Sequence, residues 1–218
     1  MILNTHKVTA SGAKIPVEII VKRVSPSKVM NHQIKDVETR NNWCNAGGVH
    51  CAKFGCRPCC PPKMKMFDKL KERAYFYAIS VKIVLDDYYE VYPKVKESKS
   101  WCYFGMDGAH KMTRNINNKI VSDLSEKGDQ GFRVGGCLGC QYSKTGVCKN
   151  FMPPLEATGV NVVDFAKDVF EQDIVWREAK KPMKHMIAIG GVYTDREISP
   201  KVIKQVILKI TGGLKSAS

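Results

Sequence analysis

The sequence predicts an α/β domain in which a mixed sheet with flanking helices carries two cysteine-rich metal-binding loops. Three runs rich in β-branched and aromatic residues, at 13–24, 75–85 and 185–193, are typical of strands. Strands separated by segments of helical periodicity favour α/β layering. Eight of the nine cysteines lie in two windows rich in Gly and Pro, the first at about 43–62 and the second at about 135–154. This clustering indicates metal, because thiolates that share one soft cation must converge.

The first half of the chain is expected to alternate between strand, loop and helix. Pro16 stands near the start of the first strand, where a missing backbone donor is tolerated. A long irregular region then runs to residue 62, which is unusual in a compact domain unless a metal holds it. Apolar residues at helical spacing predict a helix at 63–73. After the strand at 75–85, the charged residues that follow predict a polar connection as far as residue 100.

The second half is predicted to contain three helices and one strand. A turn at 106–110 leads into a helix at 110–127, and helical turns followed by a helix are expected within 155–170. Gly190-Gly191, in the strand at 185–193, indicates a bulge or a close approach of backbones. The last helix is capped by Ser199, has Pro200 at its first position and ends at Gly212. We expect a single domain over residues 1–218.

Composition favours a folded protein of a reducing compartment. The chain has 218 residues, 44% of them hydrophobic, which is enough to bury a core. No run approaches the roughly 20 apolar residues that span a bilayer, and the N-terminus lacks the apolar core of a secretion signal. The odd number of cysteines and their CxxC spacing favour reduced thiols over disulfides. We therefore expect a cytoplasmic protein with no membrane partner.

The charge balance is strongly basic. Lys and Arg number 35 against 21 acidic residues, which gives a formal net charge of +14. Metal–thiolate centres are anionic, so part of this excess balances the sites. The rest favours an acidic redox partner, a phosphorylated substrate or nucleic acid, and charge alone does not choose among them. The oligomeric state is not determined by the sequence.

The second window contains a typical metal-binding turn. Cys137 and Cys140 form a CxxC pair, which places two sulfurs on the same side of a tight loop. Gly135 and Gly136 precede the pair, letting the backbone bend and leaving N–H groups free to point at sulfur. Cys148 is a third candidate ligand. No catalytic residue is identified.

The first window offers more thiols than one tetrahedral site can use. Its five candidate ligands are Cys44, Cys51, Cys56, Cys59 and Cys60. The adjacent pair Cys59-Cys60 cannot easily bind one ion together, so at least one of the two is expected to be a spare. His50 is a further candidate, although a histidine beside a ligand is more often structural. The ninth cysteine, Cys102, is interpreted as a buried thiol.

Two blocks of the sequence resemble a known family. The first is C-x2-F-G-x4-C-P-P, which starts at Cys51. The second runs from Gly135 through Cys137, Cys140 and Cys148-Lys149 to the stretch P-L-E-A-x-G-V-N-V at 154–162. In this order and at these distances, they resemble the domain of unknown function 2284 family, described as predicted metal-binding proteins. The resemblance covers residues from about 44 to 165 and implies metal binding.

Two departures from the family pattern bear on the chemistry. Ser143 stands where the second block tends to have a further cysteine, and Gly48 stands where the first block often has one. The resemblance then leaves three cysteines for each site, namely Cys44, Cys51 and Cys60, and Cys137, Cys140 and Cys148. A [4Fe–4S] cluster held by three thiolates leaves one iron open to substrate, water or another side chain. Cys56, Cys59 or His50 can instead close the shell.

Three functions follow from these observations, in order of preference. The first is an iron–sulfur protein, expected in anaerobic metabolism, with one or two [4Fe–4S] clusters for electron transfer or for chemistry at an open iron. The second is a zinc protein that binds nucleic acid, with a knot of Cys56, Cys59, Cys137 and Cys140. The third is a cluster-dependent enzyme that transfers sulfur to, or removes it from, a thiolated nucleotide or RNA.

Overall fold

The core of the fold is a five-stranded sheet with the strand order β1-β2-β3-β5-β4. The computed structural model describes residues 1–39, 59, 61, 63–93, 101–134, 151–174 and 183–212, and of 101–107 it describes the backbone alone. The strands are β1 (Ile2–Val8), β2 (Lys14–Val24), β3 (Tyr75–Val84), β4 (Gln130–Phe132) and β5 (His185–Thr194). β1 and β4 form the two edges of this sheet.

Every neighbouring pair of strands in this sheet is antiparallel. The expected α/β class with flanking helices is confirmed, but the expectation of a mixed sheet is wrong. The burial of β3 explains the wrong expectation. This strand is buried along almost its whole length because helices cover both faces of the sheet. Continuous apolar runs of this kind are more usual in parallel strands. The two predicted cysteine-rich loops fall almost entirely outside the described residues.

Helices cover both faces of the sheet. The helices are α1 (Pro26–Met30), α2 (Leu85–Val91), α3 (Trp101–Leu124), α4 (Val162–Phe170) and α5 (Pro200–Thr211), with two 3-10 turns at Phe67–Lys69 and Leu155–Thr158. On the first face, α2, α3 and α5 form one apolar core with the sheet. On the second face, α1, α4 and both 3-10 turns form another. In the described part of the chain, no helix is both long and apolar enough to cross a membrane.

Most of the long predicted elements are confirmed. The strands expected at 13–24, 75–85 and 185–193 correspond to β2, β3 and β5. The last helix has the predicted ends, because the Ser199 side chain accepts a hydrogen bond from the Val202 N–H and Gly212 adopts a left-handed φ of 86°. The helical segments expected at 110–127 and within 155–170 are also present.

Three local predictions are wrong. The helix expected at 63–73 is reduced to one 3-10 turn, because Met64 and Met66 are buried between exposed lysines in a pattern of period two rather than 3.6. The expected polar connection after β3 begins with α2, whose Tyr88 and Tyr89 are buried. The expected turn at 106–110 lies inside α3. The edge strands β1 and β4 were not predicted.

The contact between α3 and the sheet depends on Gly190 in β5. Asn117 of α3 is completely buried, and its Nδ2 donates hydrogen bonds of 3.0 Å to the carbonyl oxygens of Ile79 and Ala188. A Cβ atom on Gly190 would lie 2.3 Å from Asn117 Oδ1 and 2.7 Å from the Phe132 carbonyl oxygen. The pairing of β3 with β5 continues residue by residue past this glycine. Of the two alternatives for Gly190, the close approach is therefore the correct one.

Candidate metal centre

One of the eight predicted cysteine ligands lies among the described residues. Cys59 is completely buried, whereas Cys44, Cys51, Cys56, Cys60, Cys137, Cys140 and Cys148 lie outside those residues, as do His50 and the side chain of Cys102. In the ranges that the structure describes, no three His, Cys, Asp or Glu side chains form a group able to hold a metal ion. Which thiols share a site thus stays a prediction. The structure shows instead how the chain segments that flank each window are held together.

The chain segments on either side of the first window are joined by two hydrogen bonds that involve side chains. Gln33, after α1, donates from Nε2 to Asp68 Oδ1 over 2.8 Å. The Asp68 N–H donates back to Gln33 Oε1 over 3.0 Å. The hydrogen bond from Gln33 also lowers the pKa of the Asp68 carboxyl, so Asp68 stays ionised and accepts at neutral pH. These bonds define the base of the first window.

The ends of the second window are held together beside β4. The Arg133 N–H donates to the Pro153 carbonyl oxygen over 3.0 Å, and Gln130 Nε2 donates to the Phe151 carbonyl oxygen over 3.1 Å. The Val134 N–H, next to the window, donates to Asn118 Oδ1 of α3 over 2.8 Å. The base of the second window is therefore fixed to both the sheet edge and α3.

The two bases meet on the second face of the sheet. Phe67, which follows the first window, has its ring centroid 5.9 Å from that of Phe132, which precedes the second window. Phe76 of β3 and Tyr193 of β5 complete the contact, at 5.9 and 5.2 Å from Phe67. We call these four residues the aromatic clamp. Such aromatic pairs contribute about 0.5–1.5 kcal/mol each beyond the apolar area that they bury.

Two arginines, Arg133 just before the second window and Arg114 on α3, have buried nitrogen atoms without a hydrogen-bond partner in the described part of the chain. Arg133 follows β4, and its Nη2 donates to Ser122 Oγ of α3. Arg114 lies two turns before Ser122 on α3. The Nε atoms of both arginines are buried and form no hydrogen bond, and no ion pair joins either side chain to a described carboxylate. Leaving a buried N–H unpaired costs about 1–3 kcal/mol, so an anion near these groups would be stabilising.

A small open cleft lies beside the base of the first window. Its volume is about 430 Å³. Its apolar lining comes from Met30, Val37 and Met66, and its polar lining from Gln33, Lys35, Asp68 and Lys69. The sequence analysis did not identify this cleft, because its lining comes from two chain segments that the first window separates. The cleft is large enough for a small molecule and has more basic than acidic groups.

Glu156, in the 3-10 turn Leu155–Thr158, has an unusual carboxyl group. Burial raises its pKa from an ordinary value of 4.5 to about 7. By its accessible surface Glu156 is half-buried, and its neighbours Leu155 and Ala157 are buried. A carboxyl with this pKa can take up and release a proton near neutral pH. The sequence signal for this carboxyl is a charged residue between apolar neighbours, after two prolines. In the sequence analysis it counted only as part of the family motif.

Replacing Glu156 with Gln is expected to stabilise the protein at alkaline pH. Because the folded-state pKa exceeds the unfolded value, ionisation costs stability, and this cost appears as the pH rises from about 4.5 to about 7. Glu156→Gln should raise the free energy of unfolding by about 1–3 kcal/mol at pH 8 and hardly change it at pH 4. Urea unfolding at both pH values measures the difference. Glu171→Gln, at an 89% exposed side chain, is the control, and an equal effect in both variants would refute the burial of Glu156.

A comparison with protein families gives the same classification as the cysteine blocks. The model of a family described as predicted metal-binding protein, the domain of unknown function 2284, matches residues 30–192. The chain belongs to this family. No curated protein and no solved structure matches it. The match includes both cysteine windows, both bases and three of the four residues of the aromatic clamp, since Tyr193 lies just beyond it.

The donor set of the family member fits a thiophilic metal. Cysteine thiolates are soft ligands that select zinc or iron–sulfur clusters over magnesium or calcium. The candidate ligands lie within the part of the chain that the family model matches. The family description thus assigns predicted metal binding to this chain, and the choice of metal is a separate question.

Proposed function

We propose that the protein binds one or two [4Fe–4S] clusters and uses them for electron transfer or for chemistry at an open iron. The expected ligands are Cys44, Cys51 and Cys60 in the first window and Cys137, Cys140 and Cys148 in the second. The observation that carries the proposal is the aromatic clamp, in which Phe67, after the first window, packs against Phe132, before the second. A cluster, when bound, exchanges single electrons, and an iron held by three thiolates is also open to substrate. Because one end of each window starts from this contact, we expect the two centres to be neighbours.

The charge distribution supports an anionic centre at the second window. A cluster with its thiolates carries net negative charge. Arg133, just before that window, supplies a buried N–H group that lacks a partner among the described residues, and the chain as a whole has a net charge of +14. Hydrogen bonds and nearby cations of this kind tune the reduction potential of iron–sulfur clusters.

The cleft beside the first window supports the version with substrate chemistry. Lys35 and Lys69 give it an affinity for small acidic molecules, and Met30 and Val37 give it apolar walls. Glu156, which does not line this cleft, has a pKa of about 7 and could exchange a proton with a group that reaches it elsewhere. A pure electron carrier needs neither a cleft nor such a carboxyl.

Anaerobically purified protein is expected to contain iron and inorganic sulfide. The sample should be brown, with broad absorbance near roughly 400 nm that dithionite bleaches. Cys137→Ala should lose the iron and sulfide of one centre, because it removes half of the CxxC pair. Cys102→Ala, outside both windows, is the matched control and should keep the full content. Iron retained in full by the Cys137 variant would refute its assignment as a ligand.

Zinc with no sulfide would refute the iron–sulfur proposal and leave the zinc alternative. One observation favours that alternative, because structural zinc sites are closed and Cys59 is completely buried. The proposed knot is Cys56, Cys59, Cys137 and Cys140, with nucleic acid as the partner. In that case affinity for RNA should fall steeply as salt increases, because lysine contacts to phosphate release counterions. A flat salt response would argue against nucleic acid as the partner.

The third candidate function is sulfur transfer to, or desulfurisation of, a thiolated nucleotide or RNA. It requires the same cluster and the cytoplasmic, reducing setting that we infer. An anaerobic assay with a thiolated nucleoside tests the desulfurising version, in which oxygen from water replaces the sulfur at carbon and the sulfur leaves as sulfide; an electron carrier would release none.

A further inference from the structure

The open edge of β1 has backbone groups that no described residue uses. Met1 exchanges both hydrogen bonds with Val21, at 2.7 and 2.9 Å, and the Thr9 N–H donates to the Ala13 carbonyl oxygen over 2.9 Å. In an antiparallel pair such bonded positions alternate along the strand. Leu3, Thr5 and Lys7 therefore bond to β2. The N–H and C=O groups of the intervening residues, Ile2, Asn4, His6 and Val8, point away from the sheet.

The side chains of those outward residues are unusually exposed for apolar groups at a sheet edge. Ile2 is 63% exposed and Val8 36%. The devices that normally protect edge strands are absent from β1: it contains no proline, its pairing with β2 has no bulge, and the Lys7 ammonium donates back to the Ile210 carbonyl oxygen over 2.8 Å. An edge of this kind is a template for another strand.

The sequence of β1 is self-complementary about Thr5. In a two-fold antiparallel pairing centred there, Ile2 faces Val8 of a second copy and Asn4 faces His6. Both pairs join outward-pointing positions, so all four residues exchange hydrogen bonds and the Thr5 residues form the non-bonded pair between them. Apolar residues thus meet apolar residues, and polar residues meet polar ones. A shift by one residue would oppose inward and outward backbone groups and lose the ladder.

We propose that two copies of the chain associate through β1 in this register, which makes one continuous ten-stranded sheet. The pairing is isologous, as a two-fold dimer requires, because each copy supplies the same strand. α5 accompanies β1 into the contact, since Thr211 Oγ1 of α5 lies 3.3 Å from Thr5 Oγ1, next to the two-fold axis. This inference uses no cysteine and is independent of the proposed metal function.

Light scattering after size-exclusion chromatography tests the dimer with the full chain at tens of micromolar. The wild type should have twice the chain mass of 24.4 kDa. Asn4→Pro should halve the measured mass, because it removes an outward N–H without touching the ladder to β2. Val84→Lys, at a 39% exposed residue of β3, is the control for losing an exposed apolar side chain and should leave the mass unchanged.

A charge-swap experiment tests the register. The double variant Ile2→Lys, Val8→Lys and the double variant Ile2→Glu, Val8→Glu should each be monomeric, because like charges then face each other. Their equimolar mixture should regain the dimer mass, since each Lys of one copy then faces a Glu of the other. A monomeric wild type would overturn the proposal, and so would a dimer that survives Asn4→Pro. A mixture that stays monomeric while the wild type is dimeric would overturn the register.

Discussion

Gly190→Ala is expected to lower the free energy of unfolding by about 3 kcal/mol or more. The new Cβ would lie 2.3 Å from Asn117 Oδ1 and 2.7 Å from the Phe132 carbonyl oxygen. The first contact displaces Asn117, which then loses its hydrogen bonds to Ile79 and Ala188 inside the sheet. The second contact is with backbone and is relieved only if β4 moves. Urea unfolding of the variant against the wild type gives the difference.

A glycine with open surroundings is the control for this variant. Gly12, in the turn between β1 and β2, has a φ of 82° and no atom within 4 Å of the position of a Cβ. Gly12→Asn should change stability by less than about 1 kcal/mol, because Asn tolerates left-handed backbone. If Gly190→Ala proved as stable as Gly12→Asn, α3 could not lie against the sheet as described. The double variant Asn117→Ala, Gly190→Ala should be less destabilised than the sum of its parts, since one of the two clashes is gone.

The fold was predictable where local pattern and burial agree. β2, β3 and β5 consist of β-branched and aromatic residues, and each is held by neighbours on both sides, so propensity and environment favour the same structure. β1 was missed because an edge strand with Asn4, Thr5 and His6 has little propensity of its own and depends on pairing with β2. The antiparallel arrangement was unpredictable for a different reason: burial on both faces removes the alternation that marks most antiparallel strands.

Candidate ligands could be proposed from the sequence, whereas the residues that support the two windows could not. CxxC spacing and neighbouring Gly and Pro identify the cysteines within short segments. By contrast, Gln33 bonds to Asp68 only because the chain returns after the first window, and Arg114 is notable only because no described carboxylate reaches it. Such long-range pairings leave no signal in one sequence. Phe67 illustrates both cases, since its apolar character predicted burial correctly while its spacing predicted the wrong element.

Phe67→Ala is expected to cost about 3–5 kcal/mol of stability, as for other buried Phe-to-Ala changes. The ring is 2% exposed and contacts Phe76, Phe132 and Tyr193, so its removal leaves a cavity at the centre of the aromatic clamp. Phe67→Leu fills much of that cavity and should cost less than about 1.5 kcal/mol. Denaturant unfolding measures both variants. Equal stability of the Ala and Leu variants would contradict a packed clamp.

The Phe67→Ala variant also tests whether the bases of the two windows are coupled or independent. Hydrogen exchange can follow the Asp68 amide, bonded to Gln33 at the first base, and the Arg133 amide, bonded to Pro153 at the second. If the clamp couples the bases, Phe67→Ala should accelerate exchange at both amides, because local opening then costs less at each. Acceleration at Asp68 alone would mean that the windows are held separately. The expectation that the two metal centres are neighbours would then lose its support, because it rests on the coupling of the two bases.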